Sequence, residues 1–516
     1  MEVEQPTVSA PTDLQDIVVI GGGINGAGIA RDAAGRGFRV TLCEQSDLAS
    51  GTSSASTKLI HGGLRYLERG DFRLVRESLK EREILLNIAP HVVRPMRFVL
   101  PHVGGMRPVW LLRVGLFMYD HLGGSKHLAG SRRIDLRTHE ASGALATGLR
   151  AAFEYSDCWA DDARLVVLNA VDAAERGARI LTRTQVVAAE HDGEAWRVRI
   201  DHAGDQAQPI RARAVVNATG PWVDTIRTPR TSQMPARRVR LVKGSHLVTR
   251  RLFAGDQAYV LQGEDSRIVF MIPYERDFTL IGTTETPHES MQDEATMSSA
   301  EQAYLIDCVN RYLRQPVVAS DVVSTYSGVR LLIDEAGKAA SAVSREYVLD
   351  IDAGPHRPPC LTVYGGKLTT YRALAAKAVN ELQAALGGSR PGWTATAPLP
   401  GGDIEAADFV RFAAEMRARY AWLDRRTLDR MLRAYGTRIE AILGTASGVK
   451  ALGEPIAHDL YAAEVDYLLK SEFARTAKDI LWRRSKLGLR FSPVEAADLS
   501  RRLGGDEPEA IRHRTR

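Results

Sequence analysis

The first clear pattern along the chain is an unbroken apolar run, Ile17 to Ile20 in DIVVIGGGINGAG, which stops at Gly21. That run predicts a strand. A helical period follows from Gly26 to about Arg36, ended by Gly35 and Gly37, and a second apolar run, FRVTLCE, closes on Glu44. Strand, helix and strand in this order make one βαβ half-unit of a Rossmann-like parallel sheet. The strand-then-glycine step recurs in ARAVVNATGPW, at Val215 to Gly220, and in LTVYGGKLTTYR, at Gly365 and Gly366, where Thr369 or Thr370 can cap the next helix. Three separated returns predict a discontinuous nucleotide domain, about 14–100, 150–234 and 346–395, interrupted by an insert. The insert, about 235–345, alternates in SRIVFMIPY and DFTLIGTT and reads as antiparallel strands over a substrate. After PLPGG at 398–402 the pattern turns helical and rich in Arg and Ala, which predicts a C-terminal helical cap domain over 396–516.

Composition changes this picture little. The 516 residues are 44% apolar and 25% charged, as in globular chains of two or three domains. A net charge of +5 is too small an excess to argue for nucleic acid and suits an anionic small molecule or membrane surface. Cys43, Cys158, Cys308 and Cys360 have no metal-ligand or C-x-x-C spacing, so reduced thiols and no metal are expected, as in a cytoplasmic chain. Residues 1–13, MEVEQPTVSAPTD, read as a loose tail rather than a targeting signal. No window approaches the roughly 18 apolar residues of a membrane span, so membrane contact is expected to be peripheral. PVWLLRVGLFMYDHL, from Pro108, is amphipathic enough to lie in an interface, although a buried helix of the insert is the safer reading. The mixture of aromatic and basic residues in ILWRRSKLGLRF is read as packing of the helical cap.

The chemistry begins at Gly21, Gly23 and Gly26, which fall in G-x-G-x-x-G spacing where a strand opens into a helix. Residues without side chains let the backbone approach a pyrophosphate, whose charge the helix N-terminus can hold. Glu44, about 20 residues on, is placed to accept from ribose hydroxyls and to repel a 2′-phosphate. The fingerprint alone does not separate FAD from NAD. Three approaches suit the long, extended FAD, and the lack of a second complete fingerprint argues that the organic substrate reduces the flavin. Residues 50–71, SGTSSASTKLIHGGLRYLERGD, form a hydroxyl- and glycine-rich binding loop, in which Ser53, Ser54, Lys58 and His61 should cover the pyrophosphate and ribityl chain. Gly220, Gly366, Leu368 and Thr369 belong to the second and third approaches.

In these motifs the sequence resembles the aerobic FAD-dependent glycerol-3-phosphate dehydrogenases of bacteria. The resemblance covers nearly the whole chain after the tail. KLIHGGLRYLE and GGKLTTYR in this order are specific, and GLFMYDHLG, EYSDCWADDARLV, NATGPWVD, KGSH, TYSGVR and DILWRRSKLG accompany them. It implies an α/β fold with an FAD domain of the glutathione-reductase and D-amino-acid-oxidase kind. It also implies oxidation of sn-glycerol 3-phosphate to dihydroxyacetone phosphate by hydride transfer to flavin N5, with electrons passed to ubiquinone or menaquinone. A homodimer lying peripherally on the cytoplasmic membrane face completes the expectation. The chain departs from the family at Leu331, where proline is usual after GVR, and at Glu285, where aspartate is common after GTT.

Such a reaction needs a cationic clamp for the phosphate, a base for the hydroxyl proton, and a C2–H held against the flavin. Arg65, Arg330 and Arg345 are the family-matched clamp, because a planar guanidinium meets two phosphate oxygens at once. His246 in KGSH is the expected base. Lys367 in GGKLTT should stabilise negative charge at N1 and the C2 carbonyl of reduced FAD. Tyr66 and Thr283 are expected to line the substrate pocket. The competing readings are an oxygen-reducing flavin oxidase, acting on glycerol phosphate or an amine, and a non-catalytic FAD-binding partner of a membrane complex.

Overall fold

The computed structural model describes residues 14–67, 70–124, 128–202, 205–206, 208–225, 237–334, 346–354 and 357–505. The expected tail, 1–13, and Arg345 lie outside the described residues, as does the side chain of Arg65.

Gln15–Ile20 forms the central strand, apolar from Ile17 to Ile20, paired in parallel with Val40–Cys43 on one side and Ile210–Asn217 on the other. Arg179–Leu181 extends the sheet beyond Val40–Cys43, and Arg357–Tyr364 joins in parallel at the C-terminal half of Ile210–Asn217. Strands this uniformly apolar must be buried on both faces. Helices Ile24–Gly35, Asp162–Glu175 and Tyr371–Leu386 cover one face, where they make a core with Ile17 and Val19, and strands Thr184–His191 and Trp196–His202 cover the other, where Val186, Trp196 and Val198 pack with Val18 and Ile20. All three glycine turns therefore leave the C-terminal ends of adjacent parallel strands. That is where an open α/β sheet binds its ligand.

A second, ten-stranded sheet stands against this layer. Its centre is the run Val239–Arg250, Phe278–Gly282, Ile268–Tyr274 and Ala258–Gln262, with Val322–Ile333 lying along Val239–Arg250. The sheet does not stop at the insert boundaries expected from sequence. Val93–Pro101 pairs in parallel with Ala258–Gln262 and antiparallel with Ala151–Ala160, which carries Leu59–Ile60 at its far edge. Residues before 100 and after 150 thus contribute strands to both sheets, so the loop 50–61 runs from one to the other. Pairing between strands more than 150 residues apart leaves no trace in local periodicity.

The C-terminal region folds as helices around a core of its own, including Leu428, Leu432, Tyr435, Ile439 and Leu468. It is fastened to the sheet layer by buried ion pairs. Arg164 meets Glu472, both without exposed side-chain surface, and Arg484 donates to Asp47 Oδ2 (2.5 Å) and Oδ1 (2.9 Å). ILWRRSKLGLRF does pack as expected, through these charges as much as through its apolar positions. Helix Val109–Leu122 departs from the safer expectation: only Leu116 and Tyr119 are buried, while Trp110 and Phe117 are more than 60% exposed. Tyr119 ties the helix down, since its hydroxyl donates to Asp157 and accepts from Gly62 N (2.7 Å).

Candidate active site

A single cavity of about 980 Å³ runs from Glu44 at one end, past the glycine turns, to Lys367 and Arg330 at the other. Its first end is built by close packing that forbids side chains. Gly21 has φ +107°, and a Cβ there would lie 2.7 Å from Ala218 O; a Cβ on Gly26 would lie 1.9 Å from Gly21 O. Glu44 is held beside them by two backbone donors, Gly22 N to Oε2 (2.6 Å) and Ser46 N to Oε1 (2.8 Å). Burial pushes its carboxyl up, and the two donors oppose that. At the start of helix Ile24–Gly35, Ser53 Oγ accepts from Ile24 N (2.9 Å). Asn25, inside the fingerprint, donates to Gly365 O (3.1 Å) and so locks the first glycine turn to the third. Gly366 has φ +109°, and Gly220, at φ +59°, also lies on the cavity wall.

The opposite end carries the charge. Lys367 caps the turn Leu368–Thr370 that leads into helix Tyr371–Leu386, and its ammonium sits 3.9 Å from the centre of the Tyr66 ring. Thr369 exchanges hydrogen bonds with the His61 backbone, accepting from N (3.2 Å) and donating to O (3.4 Å), which joins the third approach to the 50–61 loop. Arg330 projects from Val322–Ile333 with Nη1 3.6 Å from Glu285 Oε1 and Nη2 3.5 Å from Thr283 Oγ1. Behind it, Glu301 accepts from Ser245, Thr284 and Ser298 and meets Lys243 Nζ at 2.9 Å. Burial works against that carboxylate, but the donors outweigh it and bring it down to about 2. A permanent buried anion thus fixes the two strand edges that carry Thr283 and Arg330.

Of the residues expected from sequence, Gly21, Gly23, Glu44, Ser53, His61, Tyr66, Gly220, Thr283, Arg330, Gly366, Lys367, Leu368 and Thr369 share the cavity wall. Three do not. His246 is buried behind the wall, stacked on Tyr326 at 4.8 Å, and its Nε2 meets Thr57 Oγ1 at 2.9 Å. Burial first, then the charges of Arg330 and Lys58, hold its proton affinity well below the usual imidazole range. Lys58 turns away at φ +61° and donates to Asp162 Oδ1 (2.7 Å) and Ser54 O (3.1 Å). It anchors the loop instead of covering a pyrophosphate, because the buried Asp162 carboxylate needs a counter-charge. Ser54 supplies that carbonyl, and its hydroxyl donates to Gly51 O (3.5 Å) within the loop. Thr57 and Asn25, which the sequence reading passed over, turn out to connect site elements. Thr57 carried a faint signal, as a hydroxyl inside the binding loop; Asn25 sits at a variable position of the fingerprint and carried none.

An extended dinucleotide fits this cavity, whose wall combines a glycine cradle, an acid beside it, and a lysine at the start of the turn Leu368–Thr370. The comparisons agree. Residues 16–397 match the model of the FAD dependent oxidoreductase family, and residues 393–498 match the C-terminal domain of alpha-glycerophosphate oxidase. The chain belongs to the FAD-dependent oxidoreductase family. It is 49% identical over 507 residues to a glycerol-3-phosphate dehydrogenase of Pseudomonas aeruginosa, covering 98% of each chain. It is 48% identical over 483 residues to a D-erythritol 1-phosphate dehydrogenase of Brucella abortus, covering 93% of this chain and 96% of the other. Among solved structures, the glycerol-3-phosphate dehydrogenase of Bacillus halodurans complexed with FAD superposes with a TM-score of 0.72 at 30% identity, over 92% of this chain and 86% of that one.

Proposed function

We propose that this chain oxidises sn-glycerol 3-phosphate to dihydroxyacetone phosphate and passes the electrons to a membrane quinone. The observation that carries the reading is the continuity of one cavity between the glycine cradle and the hollow bounded by Arg330, Thr283 and Lys367. FAD, when bound, supplies the two-electron acceptor, at N5 of its ring. Glu44 would hold the adenosine ribose, the amides at the start of helix Ile24–Gly35 the pyrophosphate, and Lys367 with the turn Leu368–Thr370 the ring end. Arg330 binds the substrate phosphate with its planar fork, and Glu285 and Thr283 fix the plane of that fork. Thr57 takes the alcohol proton at the cavity wall and hands it to His246 Nε2. At rest the buried imidazole is neutral and can receive the proton that Thr57 relays, while burial and the charges of Arg330 and Lys58 make it give that proton up again readily.

The quinone and the membrane enter this reading through helix Val109–Leu122. Leu111, Leu112, Val114 and Met118 extend the cavity wall, while Trp110 and Phe117 face outward on the same helix. No helix among the described residues is long and apolar enough to cross a membrane. An exposed aromatic face beside a cavity mouth suits a protein that rests on the cytoplasmic membrane surface and meets a lipid-soluble acceptor there. A homodimer on that surface belongs to the same reading. The test is reoxidation of the substrate-reduced protein. A short-chain ubiquinone should restore the flavin absorbance much faster than dissolved oxygen does, with no peroxide formed. Stoichiometric peroxide with oxygen and no response to quinone would make it an oxidase. Running D-erythritol 1-phosphate beside glycerol 3-phosphate distinguishes a three-carbon from a four-carbon preference.

A further inference from the structure

We propose that Tyr326 is a positioning residue for the proton step, its ring fixing the imidazole of His246 and its hydroxyl fixing the backbone beside Thr57. The inference rests on the proposed proton route from Thr57 to His246. In that step Thr57 Oγ1 gives its proton to Nε2 as it takes the one from the alcohol, while the hydride leaves for the flavin. A histidine base is ordinarily oriented by a bond at each ring nitrogen. His246 has only one. Its Nε2 meets Thr57 Oγ1 at 2.9 Å, but its buried Nδ1 has no hydrogen-bond partner among the described residues. Packing must therefore supply the second constraint, and the sheet register brings two neighbours to it. His246 on strand Val239–Arg250 lies directly opposite Gly282 on one side and Tyr326 on the other. At Gly282 the imidazole takes the space of a side chain, since a Cβ there would lie 2.1 Å from His246 Cδ2. Tyr326 closes the other side, its ring stacked on the imidazole at 4.8 Å with 16° between the planes. That ring also favours the imidazolium once the proton arrives, against burial and the charges of Arg330 and Lys58.

The hydroxyl of the same residue reaches the other member of the pair. Tyr326 donates to Ser56 O (2.8 Å), the carbonyl that precedes Thr57. The segment around Thr57 is otherwise anchored on the nucleotide layer, because Ser56 Oγ and Lys58 Nζ on either side of it both donate to Asp162, at 2.7 Å each, at the start of helix Asp162–Glu175. His246 belongs to the substrate sheet. Tyr326 thus touches both halves of the relay across the junction of the two layers. A bond from Thr52 Oγ1 to Val329 O (2.5 Å) crosses the same junction, but five residues before Thr57. The geometry matters because a misplacement of about 1 Å costs on the order of a hundredfold in rate.

The experiment is anaerobic stopped-flow reduction of the FAD-loaded protein at saturating glycerol 3-phosphate, with affinity for dihydroxyacetone phosphate read separately from the spectrum of the oxidised flavin. Tyr326→Phe keeps the ring and loses the hydroxyl, so the flavin should bleach about five- to tenfold more slowly. Tyr326→Leu loses both and should slow about a hundredfold. Flavin content and product affinity should match the parent in both. The decisive comparison is with Thr57→Val, which removes the relay hydroxyl. Adding Tyr326→Leu to it should slow reduction no further, because a residue that acts through Thr57 and His246 has nothing left to position. With Thr57→Val slow, multiplied effects, a loss of product affinity as large as the loss of rate, or a Tyr326→Leu protein that bleaches at the parental rate would overturn the proposal and leave the proton route standing. A Thr57→Val protein that bleaches at the parental rate would overturn the route itself, and this inference with it. Should Tyr326→Leu fail to fold, Tyr326→Phe and its combination with Thr57→Val decide the matter.

Discussion

Replacing Arg330 by alanine is expected to lower kcat/KM for glycerol 3-phosphate by about a thousandfold while the protein keeps its FAD. Two charge-assisted hydrogen bonds to a phosphate, at about 1.5–3 kcal/mol each, give about 3–6 kcal/mol, and each 1.36 kcal/mol is about a factor of ten in rate. Arg330 makes no contact with the glycine cradle among the described interactions, and its guanidinium contacts Glu285 and Thr283 on neighbouring strand edges. Loss of activity should therefore come without loss of cofactor. Steady-state kinetics with flavin content measured on the same sample separates the outcomes. An apoprotein would show that Arg330 supports the fold or the flavin site and does not clamp substrate.

Gly26→Ala should have the opposite character, with FAD lost and the fold itself weakened. The methyl group would lie 1.9 Å from Gly21 O, a backbone atom that cannot swing aside as a side-chain tip could. Helix Ile24–Gly35 must then move off strand Gln15–Ile20, opening the cradle and straining a core in which Ala27, Ala30 and Ala33 are fully buried. Overpacking of this kind costs about 3 kcal/mol. The flavin-to-protein absorbance ratio of the purified variant, together with its denaturation midpoint, reports both effects. Retention of full flavin content would mean that the turn is looser than these contacts require.

Much of this was legible in the sequence, and the reason is physical. The cradle depends on backbone approach, which demands glycine at fixed spacing, so Gly21, Gly23 and Gly26 announce it; Glu44 follows from the length of one βαβ unit. The second and third approaches were visible for the same reason. What the sequence could not display was pairing across distance. Strand Val93–Pro101 meets Ala258–Gln262 in the substrate sheet, which no local pattern reveals. His246 and Lys58 show the same limit at the level of single side chains. Each stands in a motif that suggests contact with a ligand, yet the first reaches the cavity through Thr57 and the second is held by Asp162. Helix Val109–Leu122 differs again, because an apolar face looks the same in sequence whether it meets a core or open surface.

Anaerobic mixing of the FAD-loaded protein with glycerol 3-phosphate tests the central claim most directly, since it asks whether the cradle and the cationic hollow serve a single reaction. The yellow absorbance of oxidised flavin should bleach fully at one equivalent of substrate per site, at a rate that saturates with substrate, and glycerol lacking the phosphate should leave it unchanged. A flavin that stays oxidised in excess glycerol 3-phosphate, or that glycerol bleaches equally well, would contradict the account.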